Sequence, residues 1–258
     1  MKAEYVHLLC DPDTQGPLYL NGDDLVNLET GRRFPIRDGI PVFVGNVTGL
    51  NLKYQKQYDR LAAIYEGWGR AYTWFFRKWR LQAHLYRELE HVAKARVLEV
   101  AVGTGWNLRD FASDADLFGL DISWGMLHKC TRNFEGRRRS VELFQGRAES
   151  LPFREEVFDT VFSAGAINFF QDQARAVKEM IRVAKAGTKI VIIGGADKIL
   201  RTWCYKIPLA RKIPVVREYL LDEDMFVRPA DLIPPSMRDV EVHELVGGLL
   251  YCLSFRKP

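Results

Sequence analysis

From residue 97 onward, apolar residues alternate between two arrangements, short continuous runs typical of buried strands and longer stretches with a helical repeat. This pattern predicts strands at 97–101, 116–120, 141–145, 158–163 and 188–194, helices at 106–113, 123–133 and 171–185, and a late strand from Val240 to Leu245. Alternating strands and helices form a doubly wound, Rossmann-like α/β sheet that is mostly parallel, and such a sheet binds ligands at the carboxyl ends of its strands.

Residues 1–46 follow a different pattern, in which short apolar stretches are separated by turn sequences such as Asp11-Pro12, Asn21-Gly22 and Asp38-Gly39. The pattern predicts a small β module, followed by a main domain at 47–258.

Two apolar and aromatic segments flank the predicted sheet, and each has more than one interpretation. Residues 47–96 are predicted to form helices, either packed on the core or folded over a ligand as a lid. Residues 196–238 contain five prolines and fit either ordinary packing or a lid over a pocket for an apolar or aromatic small molecule. The basic residues of this second segment also fit an anionic head group or peripheral contact with a membrane surface; they are Arg201, Lys206, Arg211 and Lys212.

Composition excludes several classes of protein. The 258 residues are 47% hydrophobic and 27% charged, which suits one large domain with a small one and argues against disorder. The formal net charge of +4 comes from basic residues that are spread along the chain, so we expect no nucleic-acid partner. The four cysteines form no C-x-x-C pair, and the sequence shows neither a signal peptide nor a run of roughly 20 apolar residues. We therefore expect a cytoplasmic protein. The oligomeric state stays open.

A glycine loop follows the first predicted strand, in the sequence VLEVAVGTGWNL from Val97 to Leu108. Gly103 and Gly105 allow a tight turn and let a ligand lie against the bare backbone. Glu99 adds a carboxylate suited to hydrogen-bond donors or a cationic ligand. The dinucleotide spacing G-x-G-x-x-G is not met, and a glycine loop alone does not identify the ligand.

Asp121 is the most informative acidic residue, because it ends the second strand 22 residues beyond Glu99. A carboxylate at about this distance suits the two hydroxyls of a ribose, and a helix-capping role for it is the alternative. The third loop brings Ala148 and Glu149 to the same edge of the sheet.

Together these motifs resemble the class I S-adenosylmethionine-dependent methyltransferases. VLEVAVGTG, GLDISWGML and GRAESLPF are similar to the first three motifs of that family, and FDTVFSAGAINFF and EMIRVAKAGTKIVI to its fourth strand, the next helix and its fifth strand. YDRLAAIY, the S-x-G-x-x-N sequence at 163–168 and the ending HELVGGLLYCLSFRKP are most similar to the ubiquinone and menaquinone C-methyltransferases, and GTGWNL is also similar to phospholipid methyltransferases. The resemblance implies a seven-stranded sheet and S-adenosylmethionine as cofactor.

The resemblance also implies roles for individual residues. Glu99 would lie near the methionine amino end, Asp121 would bind the ribose, Ile122 and Met126 would pack against adenine, and the Ala148 N–H would bond an adenine nitrogen. The full set of implied cofactor residues is Tyr58, Glu99, Ala101, Gly103, Thr104, Gly105, Asp121, Ile122, Met126, Ala148, Glu149, Ser163 and Ala164.

Three positions depart from the family pattern. Ala101 replaces a common glycine, which is tolerable if its φ is negative. Arg147 replaces an aspartate that accepts from the adenine amino group, so Glu149 or a backbone carbonyl must substitute. Ile167 replaces an arginine of the quinone enzymes beside Asn168, which weakens a quinol assignment.

The N-terminal module resembles the small zinc ribbon that activates tRNA methyltransferases. Its four metal positions correspond here to Asp11, Thr14, Asn27 and Thr30, which supply neither thiolate nor imidazole. We therefore expect no metal, and we expect the module to be stabilised by docking onto the main domain.

Methyl transfer is an in-line displacement that mainly requires alignment and removal of water. A base would assist some acceptors; the candidates are His243, His128 and His84, and His243 is favoured by its place on the late strand. The residues assigned to catalysis are His243, Asn168 and Tyr65, with Tyr58 as a further hydrogen-bond donor. We expect a small apolar or aromatic acceptor; the alternatives are an RNA methyltransferase and a catalytically silent binding protein of this fold.

Overall fold

The computed structural model describes residues 1–45, 48–59, 81–90, 92–137, 139–196 and 228–258. Its strands are β1 (Tyr19–Asn21), β2 (Asp24–Val26), β3 (Arg33–Arg37), β4 (Ile40–Pro41), β5 (Arg96–Val100), β6 (Asp116–Asp121), β7 (Val141–Gln145), β8 (Thr160–Ala164), β9 (Lys189–Gly195), β10 (Arg238–Leu245) and β11 (Leu250–Arg256). Its α-helices are α1, described over residues 49–59, α2 (Leu81–Glu88), α3 (Trp124–Phe134) and α4 (Gln173–Val183).

Seven of the described strands form the central sheet, in the order β10-β11-β9-β8-β5-β6-β7. The strands from β9 to β7 are parallel, whereas β11 is antiparallel to both β9 and β10. This arrangement confirms the doubly wound, seven-stranded, mostly parallel fold. The strand order reverses at β5, which lies between β6 and β8, and a crevice for ligands forms at such a point.

The predicted strands agree with the structure to within two residues at each end. The parallel strands of the sheet are buried on both faces, whereas the edge strand β10 is largely exposed. In β5, for example, Val97, Leu98 and Val100 are all buried. The helices α3 and α4 also agree, and each begins at a side-chain cap: Ser123 accepts from the Met126 N–H and Asp172 from the Arg175 N–H.

The helix predicted at 106–113 is wrong. The structure has a single 3-10 turn at Asn107–Asp110, after which Phe111 is extended. The extended backbone lets the Phe111 ring stack on Phe162, with ring centroids 5.7 Å apart and an interplanar angle of 16°. Packing against the sheet therefore outweighs the local helical pattern.

The N-terminal sheet, in the order β1-β2-β3-β4, is antiparallel and shares its core with the central sheet. The Tyr5 ring packs edge-on against Phe118, with centroids 5.0 Å apart. Leu9 forms a bridge with Phe153, and the Phe43 N–H donates to the Gln145 carbonyl at 2.7 Å. The docking expected for this module is thus present as a continuous apolar interface.

Hydrogen bonds join the four positions that the sequence aligned with zinc ligands. The Asn27 amide donates to Asp11 Oδ2 and to Thr14 Oγ1, both at 3.1 Å, and accepts from the Thr30 N–H at 3.3 Å. Asp11 and Asn27 are fully buried, and Asp11 also accepts from Arg32 at 3.3 Å. A satisfied polar network of this kind fixes the two loops of the module relative to each other.

Parts of both predicted covering segments lie outside the described residues, among them Tyr65 and residues 197–227. At the end of the second segment, a 3-10 turn at Pro229–Leu232 packs near α4. No helix in the described ranges is both long enough and apolar enough to cross a bilayer.

Candidate functional site

The glycine loop after β5 lies at the carboxyl edge of the sheet, where β5 and β6 meet. Ala101, Gly103 and Gly105 all have positive φ, of 62°, 52° and 73°. Alanine at position 101 was expected to be tolerable only with a negative φ, and the structure shows a positive one. The left-handed backbone at Ala101 costs roughly 1–2 kcal/mol. A side chain added at Gly103 would have no atom within 4 Å, so this part of the loop faces open space.

Glu99 is buried beside this loop, and its carboxyl group has a raised pKa and one oxygen without a partner among the described residues. Asn107 Nδ2 donates to its Oε1 at 2.7 Å, while its Oε2 has no hydrogen-bond partner among the described residues. Burial raises the pKa of Glu99 to about 8, against a smaller lowering by the Asn107 hydrogen bond. An unpartnered carboxylate oxygen in such a place is suited to a cationic or hydrogen-bond-donating ligand.

Asp121, at the end of β6, ties the first two loops together. Its Oδ2 accepts from the Gly103 N–H at 2.8 Å and its Oδ1 from the Ser123 N–H at 2.9 Å. The N-cap of α3 is Ser123, so the capping alternative for Asp121 is wrong. Burial raises the pKa of Asp121 to about 6, against the lowering by these backbone hydrogen bonds. Each oxygen retains a lone pair for a further donor.

One face of α1 contacts the crevice through three polar residues that the sequence analysis missed. Asn51 Nδ2 lies 3.5 Å from Glu149 Oε2, and Gln55 Nε2 donates to the Ile122 carbonyl at 3.2 Å. Asp59 Oδ1 accepts from Ser123 Oγ at 2.6 Å and from the Gly125 N–H at 2.9 Å. These residues recur every four positions, which is the signal that would have revealed a polar helix face.

Asp59 is expected to stabilise the start of α3, because a carboxylate there accepts hydrogen bonds from the helix N-terminus and interacts favourably with the helix dipole. Replacement by alanine should lower the free energy of unfolding by about 1–2 kcal/mol. Asp59→Asn keeps an acceptor oxygen and should lose about half as much. Urea unfolding measures the stability of both variants. Glu135→Ala, at the other end of α3, is the control. Equal losses of stability in Asp59→Ala and Glu135→Ala would contradict the role of Asp59.

The loop after β7 supplies Ala148 and Glu149, both buried. Glu149 Oε1 accepts from the backbone N–H of Gln171 at 2.8 Å and of Asp172 at 3.4 Å, which ties this loop to the start of α4. Arg147 points toward the N-terminal module, with its Nη2 3.9 Å from Asp13 Oδ1. Because Asn51 Nδ2 lies near Glu149 Oε2, both carboxylate oxygens of Glu149 already have protein contacts.

The other predicted cofactor residues lie around the same loops. Met126 is buried in the first turn of α3, and the Ile122 carbonyl also accepts from Gln145 at 3.0 Å. The Thr104 carbonyl accepts from Asn133 at 2.9 Å. Tyr58 packs against Phe169, with ring centroids 6.0 Å apart.

The segment after β8 forms the opposite wall of the crevice. Ser163 is fully buried, and its hydroxyl has no partner among the described residues, while Ala164 beside it is half-buried. Asn168 Oδ1 accepts from the Gly195 N–H at 2.8 Å, and its Nδ2 donates to the Gly195 carbonyl at 3.4 Å. Asn168, predicted as catalytic, thus holds the ends of β8 and β9 together.

The structure places His243, predicted as the catalytic base, on the edge strand of the sheet. This residue is exposed on the edge strand β10, with its Nε2 3.4 Å from Glu241 Oε2. Three inter-strand steps of about 4.8 Å separate β10 from β8, so the ring is roughly 14 Å away from the crevice wall across the sheet. His128 lies beside Asp38 of the N-terminal module, and His84 is half-buried on α2.

Comparisons with known proteins agree with this arrangement. Residues 98–192 match the methyltransferase domain family. A demethylmenaquinone methyltransferase from Paenarthrobacter aurescens is 30% identical over 181 residues, which make up 63% of this chain and 70% of that protein. A phosphatidylethanolamine N-methyltransferase from Cereibacter sphaeroides is 37% identical over 100 residues, 38% of this chain and 49% of that one.

A solved structure shows the same fold. The S-adenosylmethionine-dependent methyltransferase from Thermotoga maritima aligns with a TM-score of 0.54 at 20% identity, over 79% of this chain and 99% of that chain. The chain spans 40%, 49% and 62% of the lengths of three curated relatives that it matches. The fold, the glycine loop with its two buried carboxylates and the identity to the Paenarthrobacter protein lead to one conclusion: the chain belongs to the class I S-adenosylmethionine-dependent methyltransferases.

Proposed function

We propose that this chain transfers the methyl group of S-adenosylmethionine to a small, apolar or aromatic acceptor. The observation that carries the proposal is the Glu99 carboxylate, which is buried beside the glycine loop and keeps Oε2 without a partner among the described residues. Burying such a group costs free energy unless a ligand supplies the missing donor. The ammonium group of the cofactor's methionine part is a donor of this kind.

The residues around Glu99 suit the rest of the cofactor. Gly103 leaves open space above its backbone, and Asp121 retains a lone pair on each oxygen for the ribose hydroxyls. Ile122, Met126 and the Ala148 N–H are assigned to adenine. The cofactor, when bound, supplies a methyl group on a sulfonium that is already activated, so the reaction needs no strong nucleophilic side chain.

The remaining work of the chain is to exclude water and to align the acceptor. Ser163 and Ala164 are assigned to the wall that faces the methyl group, and the two hydrogen bonds between Asn168 and Gly195 keep that wall rigid. Tyr54 and Tyr58 of α1 pack on Phe169, with centroids 5.4 Å and 6.0 Å away, and so shield this wall from solvent.

The choice of acceptor class is supported by two kinds of observation. The names of two relatives give demethylmenaquinone and phosphatidylethanolamine as substrates, and both molecules have a large apolar part. The wall itself is apolar, with Ile167 fully buried and Phe169 in contact with Tyr54 and Tyr58. Peripheral contact with a membrane surface would give the chain access to such acceptors.

Titration calorimetry with S-adenosylmethionine and S-adenosylhomocysteine tests the proposal. The wild-type chain should bind both at micromolar concentration. Asp121→Asn should weaken binding about 10- to 100-fold, because the amide lacks the negative charge and has one acceptor oxygen where the carboxylate has two. Asp116→Asn, at the opposite end of β6, is the matched control and should bind as the wild type does. No binding at tens of micromolar would reject the proposal.

A further inference from the structure

Tyr251 lies at the start of β11, near the acceptor half of the crevice. Because β11 is antiparallel to β9, its first residues lie at the carboxyl end of the parallel strands, and Tyr251 is directly opposite Gly194. Its side chain is on the same face of the sheet as that of Ser163, since Ser163 is opposite Ile192, two residues before Gly194. The proposed function leaves this tyrosine without a role.

Gly194 provides the space that the Tyr251 side chain occupies. A Cβ atom added at Gly194 would lie 2.4 Å from the Tyr251 hydroxyl oxygen and 2.7 Å from Ile167 Cγ2. The φ of Gly194 is not in the positive range, so the backbone does not require glycine there. The tyrosine ring therefore crosses β9 and brings its hydroxyl to the segment that follows β8.

The Tyr251 side chain is 5% exposed, and its hydroxyl makes no hydrogen bond to a residue in the described ranges. Burial raises the pKa of Tyr251 above its usual value, so the hydroxyl stays protonated and serves as a donor. The Ser163 hydroxyl on the same face is buried without a partner among the described residues. Such a hydroxyl at the end of β8, on the sheet face that also carries the Tyr251 side chain from β11, indicates a place for a polar ligand group.

We propose that the Tyr251 hydroxyl donates a hydrogen bond to an oxygen atom of the methyl acceptor, held against the 163–169 segment. This assignment rests on the proposed function and narrows it to acceptors that combine an apolar or aromatic body with a carbonyl, phenol or hydroxyl oxygen. Tyr251 then determines specificity: an acceptor without that oxygen loses the hydrogen bond from the hydroxyl and binds more weakly.

Binding of 1,4-naphthoquinone to the full chain saturated with S-adenosylhomocysteine tests the assignment by calorimetry. Tyr251→Phe should weaken naphthoquinone binding about tenfold, while affinity for S-adenosylhomocysteine and the melting temperature stay within error of the wild type. An unlowered melting temperature distinguishes this role from a structural one, because loss of a structural hydrogen bond would lower it. Tyr5→Phe, a buried tyrosine against Phe118, is the control and should leave naphthoquinone binding unchanged.

Each outcome decides between the two proposals. Equal binding of naphthoquinone by Tyr251→Phe and the wild type, or no binding by the wild type, overturns the role of Tyr251 and leaves the proposed function standing. Failure to bind S-adenosylhomocysteine rejects the proposed function itself. Gly194→Ala gives an independent check: the added methyl group displaces the tyrosine tip and should reduce naphthoquinone affinity as Tyr251→Phe does.

Discussion

Replacing Gly105 with alanine is expected to lower the free energy of unfolding by about 3 kcal/mol and to abolish cofactor binding. The added Cβ would lie 2.5 Å from Cys130 Sγ and 2.8 Å from Phe134 Cε2, both in buried residues of α3. Overpacking of a core costs about 1–3 kcal/mol, and a left-handed backbone at a non-glycine residue adds roughly 1–2 kcal/mol. The loop must shift to relieve the contact, and Gly103, which bonds to Asp121, shifts with it.

Gly136→Ala separates the two causes of this loss. Gly136 has a φ of 72°, nearly the same as the 73° of Gly105, but an added Cβ there would meet no atom within 4 Å. This variant should therefore lose only the backbone contribution, about 1 kcal/mol, and should bind S-adenosylhomocysteine normally. Urea unfolding and calorimetry measure the two effects. If both alanine variants lost the same stability, the steric argument for Gly105 would fail.

Stability of the ligand-free chain is expected to fall as pH rises from about 6 to about 8, and Glu99→Gln should remove that fall. Burial raises the pKa of Glu99 from 4.5 to about 8, so between these values the folded chain binds more protons than the unfolded chain. Under linkage, stability then decreases with increasing pH throughout this window and levels off above it. The pKa of Asp121 rises only to about 6, so the range from 6 to 8 isolates Glu99.

Cofactor binding should reverse the protonation of Glu99. A cationic group beside the carboxylate favours its ionised form, so binding at pH 7 should release about one proton from a group whose pKa is about 8. Calorimetry in two buffers of different ionisation enthalpy counts this proton. Glu99→Gln should release none, whereas Glu142→Gln, a buried carboxylate near the N-terminal amine, should behave as the wild type. Equal proton release by Glu99→Gln and the wild type would contradict the role of Glu99.

The sheet and the cofactor half of the site were predictable because their signals are local. Strands buried on both faces appear as short apolar runs, and Glu99 and Asp121 directly end or interrupt such runs. Local patterns of this kind need no knowledge of distant contacts.

The errors and omissions concern contacts between distant parts of the chain. Tyr251 and Gly194 are 57 residues apart, and only the register of β11 on β9 brings them together. His243 was placed on a late strand correctly, but its strand is at the edge of the sheet, which residue spacing does not reveal. The positive φ of Ala101 follows from the turn that brings the Val102 N–H to the Leu120 carbonyl, at 3.0 Å.

The shared core of the two sheets has a consequence for biosynthesis. Leu9 forms its bridge with Phe153, which is added to the chain 144 residues later. At ~5–20 residues per second, roughly 7–30 s pass between the two. During that interval Tyr5 and Leu9 lack the aromatic residues that cover them in the folded chain. Growing chains therefore expose the apolar residues Tyr5 and Leu9 to chaperones and to one another during this interval, and slower elongation extends that exposure.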